Sequence, residues 1–256
     1  MGTSKNYAAP PNWGGIKGTV TTTAGEGFLT PQKARKVVAA FVEGMRTAGR
    51  GGFQGGAGQR SGGGGGSGRH SGLARGGGTV AVARAVGSFL SDVATRGLSQ
   101  ALADSGIASL AGLTVEEVAL ALTDALGGPA STVDDVDLRN ALSALIDEIC
   151  TGAETIEAME AAFAAAAANL AGIIGRLFGY YIYERFCTTM YANLAKHYGF
   201  ATADNYLTQI KDYIDGRLAV EAATQDLSSV DWAGNEGETI VGEILEATRT
   251  VFSVPS

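Results

Sequence analysis

Cysteine is nearly missing from this chain: Cys150 and Cys187 are the two in 256 residues. Two are too few for a disulfide framework, and their separation fits no metal-binding spacing. As isolated thiols on apolar faces they read as core. A reducing, cytoplasmic setting is the expectation. Histidine is equally scarce, with His70 and His197 alone. His197 falls at a helix end, where an imidazole more readily meets the last carbonyls than a metal. No apolar segment follows Lys5, because the chain runs on through Pro10, Pro11, Trp13 and paired glycines. A signal peptide is therefore not expected. Residues 79–256 hold no alternating strand pattern of useful length. No Gly-Lys-Ser/Thr tripeptide follows a strand, which argues against a phosphate-cradling loop.

Glycine is the opposite case. Residues 49–78 read GRGGFQGGAGQRSGGGGGSGRHSGLARGGG and contain 16 of the chain's 38 glycines. Glycine loses more backbone freedom on ordering than any other residue. Only Phe53 and Leu73 offer sizeable apolar side chains there. The tract reads as a flexible linker with an end-to-end reach of roughly 30 Å. Four parts follow: an extended tail over 1–30, a basic amphipathic helix over 31–48, the Gly/Arg-rich linker over 49–78, and an all-helical domain over 79–256.

Charge divides along the same boundary. Residues 1–78 carry ten Lys or Arg against Glu26 and Glu43, a net +8, and the remainder carries nine bases against 24 acids. A basic arm on an acidic body implies electrostatic docking, on its own body or on separate partners. Arg50-Gly-Gly and Arg75-Gly-Gly, with Arg60, Arg69 and His70, also look like dispersed Arg-Gly segments that bind RNA. Phe53 is the one interleaved aromatic, so a nucleic-acid-binding adaptor stands as an alternative to a plain linker.

The opening Met1-Gly2-Thr3-Ser4 has chemistry of its own. A small second residue lets the initiator Met be removed, leaving an unhindered glycine α-amine with a pKa of about 8. Asn6 occupies the position where N-myristoylation needs Ser or Thr, so that lipidation is disfavoured. From Met1 to Thr30 no helical period is apparent. The segment reads as a loose tail, or as a docking peptide whose Tyr7, Trp13 and Phe28 fill pockets on a partner. Thr30-Pro31 then looks like a helix start. Val37, Val38, Phe41, Val42 and Met45 share one face of that helix, which either meets a partner or packs on the body.

From Thr79 onward the period is helical. Val82, Val86, Phe89, Leu90 and Val93 form one stripe. Thr114 with Glu117, and Thr132 with Asp135, are capping boxes before apolar stripes. Thr151 with Glu154 reads as a third start. The run 161–183 is apolar apart from Asn169 and Arg176 and is long enough to span a bilayer. Its alanines add little hydrophobicity, and Arg176 near its middle opposes lipid. A buried central helix is the expectation, and a membrane-acting effector the alternative. The aromatics from Phe178 to Phe200 at helical spacing read as core. Further helices are expected from about Thr202 and Asn235. The fold class is all-α: an irregular helical bundle preceded by an extended N-terminal arm and a Gly-rich linker. No catalytic constellation is visible. The clustered Glu116-Glu117 and Asp134-Asp135-Asp137 fall at helix starts, where the dipole favours acids.

Met1-Gly2-Thr3-Ser4, the Gly/Arg tract leading into AVGSFLSDVATRGLSQALADSGI, the block LTVEEVALALTDALGGPASTVDDVDLRNAL and the later YIDGRL resemble one family. It is the B component of Qat bacterial anti-phage defence systems, whose operons also encode an ATPase, a QueC-like enzyme and a TatD-like nuclease. The resemblance implies a non-catalytic carrier with no cofactor or metal of its own. It implies that the QueC-like partner joins an ATP-activated 7-deazaguanine to the amine of Gly2 as an amide. Thr3 and Ser4 would be the flanking recognition residues; Tyr7 and Trp13 are candidate partner contacts on the docking-peptide reading of the tail alone. The ATPase and nuclease are additional candidate partners.

Overall fold

The computed structural model describes residues 13–48, 77–107, 112–130, 132–220, 230–232 and 234–252. Among them are ten helices and no strand: α1 (Trp13–Ala24), α2 (Pro31–Ala48), α3 (Gly77–Arg96), α4 (Leu98–Asp104), α5 (Val115–Gly127), α6 (Val133–Ile149), α7 (Ile156–Ala167), α8 (Leu170–Tyr198), α9 (Phe200–Val220) and α10 (Asn235–Phe252). The all-α reading holds.

Helix starts follow the capping chemistry of the sequence. Thr114 accepts from the Glu117 amide while Glu117 accepts from that of Thr114, at 3.2 and 2.8 Å. Thr132 and Asp135 repeat the arrangement at the head of α6. Each box satisfies two amides that the helix itself cannot. The third start differs from expectation. Gly152, at φ 82, turns the chain after α6, so Thr151 and Glu154 stay outside a helix. Thr155 caps α7 instead, accepting from the Ala158 amide at 3.2 Å.

Helix α8 is the axis of the bundle. It packs against α6, α9, α1 and α10, with α3 and α7 touching it as well. A helix surrounded in this way must be apolar on most sides, and twelve of its residues are buried. Its 29 residues extend about 43 Å. The expected continuous helix over 161–183 is broken: α7 and α8 meet at 97° across Ala168 and Asn169. Among the described residues no single helix is long and apolar enough to cross a membrane, although this bent pair passes on length and composition. Arg176, which opposed the lipid reading, pairs with Glu148 on α6, and Tyr180 donates to the same carboxylate at 2.8 Å.

The largest departure from the sequence reading lies before the glycine tract. Residues 13–24, expected to be extended, form α1. Helices α1 and α2 belong to the bundle and are no detached arm: Trp13, Ile16, Val20, Ala24, Val37, Val38, Phe41 and Met45 all enter the common core. Of the two readings left open for the basic helix, packing on the body is the one observed. Residues 1–12 and 49–76 lie outside the described residues, whereas Gly77 and Gly78, the last two of the expected linker, open α3.

Candidate functional site: the face beside the first helix

Helix α1 has the sequence WGGIKGTVTTTA. Glycine and threonine are poor helix formers, and a helix this short is marginal alone. Its stability comes from packing. Trp13, Ile16, Val20 and Ala24 recur at helical spacing and are buried. The Trp13 ring lies 4.6 Å from Phe41 of α2, and Phe41 lies edge-on to Phe186 of α8 at 5.0 Å. The threonine hydroxyls fold back on the helix, with Thr19, Thr21, Thr22 and Thr23 each donating to the carbonyl four residues earlier.

A second set of bonds ties the end of α1 to α8 and α9. The Tyr198 hydroxyl donates to the Thr21 carbonyl at 2.7 Å, and Asn193 donates to the Thr21 hydroxyl at 2.9 Å. Thr23 and Tyr206 share a hydroxyl pair at 2.7 Å. The Leu29 amide donates to Gln209 Oε1 at 2.7 Å. Between these ties lies a recess of about 260 Å³, lined by Ala24, Gly27, Ala201, Thr202, Asn205, Tyr206 and Gln209. Phe28 and Phe200, each the chain neighbour of a lining residue, are 68% and 69% exposed. Tyr198 adds a partly exposed ring on the same side, close beneath Gly25. Gly199, at φ 81, permits the sharp step from α8 into α9 that pushes Phe200 outward. Phe200 and Tyr198 are therefore not core, as their spacing had implied. Phe178, Tyr181 and Phe186 are.

A buried polar network occupies the other side of α8. Asp137 on α6, 1% exposed, accepts from Arg185 at 2.9 Å and from the Thr188 hydroxyl at 2.6 Å. Asp134 accepts from the Tyr181 hydroxyl at 2.7 Å and lies 3.5 Å from the Arg185 guanidinium. Thr79 of α3 also bonds the Tyr181 phenol. Burial, reinforced by Asp134, raises that phenol far above its usual range, which keeps it a donor. The helix dipole alone does not account for these acids: Asp135 caps, whereas Asp134 and Asp137 hold α6 to α8. Arg185 was not visible as their partner, because the acids at i and i+3 lie on α6 whereas Arg185 and Thr188, also three apart, lie on α8.

The other candidate groups are accounted for individually. Burial raises the Cys150 and Cys187 thiols to about 11, so both are protonated and poorly nucleophilic near neutrality. His197 is exposed in the last turn of α8, beside Lys196. Among the described residues no group of three or more His, Cys, Asp or Glu side chains is placed to hold a metal. Trp13, expected among partner contacts, is 4% exposed. Its ring is occupied by Phe41, so it anchors the start of α1 instead. Gly2, Thr3, Ser4 and Tyr7 lie outside the described residues.

A family model described as Qat anti-phage system associated protein QatB matches residues 65–252. The match takes in α3 to α10 and ends at the last residue of α10; α1, α2 and the candidate acceptor Gly2 precede it. No curated protein and no solved structure matches the chain. The match spans well over half the sequence and agrees with the resemblance carried by the blocks at 85–107 and 113–142, so the chain belongs to the QatB family and is a component of a Qat anti-phage defence system.

Proposed function

We propose that this chain is a substrate and carrier within its defence system, and that the α-amine of Gly2, exposed by removal of Met1, receives a 7-deazaguanine acyl group from a QueC-like enzyme of the same system. Membership of a Qat system implies partner proteins; the QueC-like enzyme is the one whose chemistry fits this terminus. An ATP-activated deazaguanine carboxylate carries an electrophilic carbonyl carbon. The neutral amine attacks it, the C–N bond forms, the bond to the activating phosphoryl oxygen breaks, and the surplus amine proton passes to a base. Glycine offers that amine with no side chain in the way, and its pKa of about 8 leaves a useful neutral fraction at physiological pH.

The observation that supports this reading most is the burial of Trp13, eleven residues after Gly2 in the chain. Trp13 fixes the head of α1 in the core. Eleven residues, 2–12, separate its backbone from the terminal amine. Their covalent length extends to about 40 Å at most. The amine can therefore enter a catalytic pocket while the bundle stays docked outside it. The body supplies no competing nucleophile of comparable reactivity in its two thiols, which burial holds protonated. The setting proposed for this exchange is the bacterial cytoplasm.

Peptide mass spectrometry of the chain co-expressed with the QueC-like enzyme tests the reading. The peptide starting at Gly2 should carry one deazaguanine acyl group. An unmodified Gly2 together with anti-phage protection that survives Gly2→Pro contradicts it.

A further inference from the structure

We propose that the recess at the end of α1, with Phe28, Tyr198 and Phe200 around it, is the docking surface for the enzyme that modifies Gly2, which seats one projecting apolar side chain there. This rests on the substrate reading above and adds the place at which the substrate's body is held.

Three features carry the inference. The first is exposure. Phe28 and Phe200 are the two most exposed large apolar side chains among the described residues, and each is the chain neighbour of a residue that lines the recess, Gly27 and Ala201. Exposed aromatic groups grouped beside a concavity have the form of an anchor-and-pocket contact between proteins. The other exposed apolar side chains are Leu120 on α5 and Val133 and Val136 one turn apart at the head of α6, whereas α1 packs on α8, α2 and α9.

The second is the size and chemistry of the recess. At about 260 Å³ it is smaller than the usual small-molecule pocket and suits a single anchoring side chain. Ala24, Gly27 and Ala201 line it without charge. Its amides are already engaged, since Gln209 accepts from the Leu29 amide and donates to Asn205 Oδ1 at 2.5 Å. An apolar protein side chain fits these walls better than a nucleotide or a phosphate. The ties from Thr21, Thr23 and Leu29 to α8 and α9 hold the walls in place before any partner arrives, which reduces the ordering cost of binding.

The third is reach. The recess opens at the C-terminal end of α1, about 18 Å from its head for a 12-residue helix. The eleven residues before Trp13 extend to about 40 Å. An enzyme seated on the recess can thus hold its catalytic pocket on the order of 20 Å further out and still receive the amine.

The test uses the full chain, the QueC-like enzyme, ATP and the deazaguanine carboxylate, with conjugation followed by intact mass. Two variants are compared with the unaltered protein: Phe28→Ser with Phe200→Ser, and Ala201→Met to fill the recess. These side chains are at the surface, so circular dichroism and melting should be unchanged. The expected result is a KM raised at least tenfold with kcat retained. A synthetic peptide of residues 2–12 should be modified with a similarly raised KM. Unaltered protein that is conjugated, with both variants keeping its KM, overturns the docking surface and leaves the substrate reading intact. Unaltered protein that is never conjugated removes both. Variants that lose only self-association, at constant KM, assign the face to a second copy of this chain and likewise overturn the proposal.

Discussion

At the scale of single residues, the account turns on one amine and on a few buried charges. Below a pH of about 8 the conjugation rate should rise nearly tenfold per unit as the Gly2 amine loses its proton, and level off above it. A single-turnover pH series with saturating activated deazaguanine measures this, and a flat profile from pH 6 to 9 argues against amine attack. Gly2→Pro replaces the primary amine with a hindered secondary one and should slow conjugation more than tenfold, read from the same assay. Asp137 is a stability residue. Removing its carboxylate takes one of its acids from Arg185 and its acceptor from the Thr188 hydroxyl, at a position that is 1% exposed. Asp137→Ala should cost about 3–5 kcal/mol, the usual result of breaking a buried pair from one side, and urea unfolding gives the value. Glu184 and Asp215 are half-buried, and burial raises both carboxyls above their ordinary range. A raised carboxyl binds its proton more tightly in the folded state, so its contribution is fully present below the unfolded-state pKa and is lost as pH rises through the higher folded-state one. Glu184→Gln should therefore raise Tm at pH 7, with the gain vanishing near pH 4. A variant that melts lower at pH 7 would show that the charge of Glu184 stabilises the fold.

At the scale of elements, what sequence pattern revealed and what it concealed have separate physical causes. Helices α5 and α6 were legible because their signals are local: a Thr and an acid three residues apart, followed by an apolar stripe such as Leu138, Leu142, Leu145 and Ile146. Helix α1 was not legible. Its Gly and Thr content argues against a helix, and the groups that hold it, Phe41, Tyr198, Asn193 and Tyr206, lie far along the chain. The α7–α8 bend was hidden for a similar reason, since alanine and leucine at 164–170 are compatible with a straight helix. Of the candidate site, the chemistry of Gly2 was readable from the terminus. The recess was not, because its walls come from α1, the loop after it and α9. Trp13→Ala tests the dependence of α1 on packing. Removing a buried indole costs about 3–5 kcal/mol. Hydrogen exchange should show α1 amides losing protection well before those of α8; equal loss throughout would mean that α1 is no separable element. Gly87→Ala is a second probe. The added methyl would overlap the ring of Trp232, which closes over α3 and donates to Ser91 at 2.9 Å. A loss of about 1–3 kcal/mol is expected in thermal unfolding.

At the scale of the whole molecule, the bundle joins two parts that the glycine tract separates in sequence. Helices α1 and α2 precede the tract and the family match, yet they share one core with α8, α9 and α10. The substrate reading thus places a reactive terminus on a short lead from a rigid body, in place of a long arm swinging from a linker. The measurement that bears most directly on the central claim is the mass of the N-terminal peptide after the full chain is expressed with its QueC-like partner and the deazaguanine precursor. The account predicts loss of Met1 and addition of one deazaguanine acyl group on Gly2, absent when the partner is inactivated. A peptide that begins at Gly2 with a free amine, in a system that still protects against phage, would contradict it.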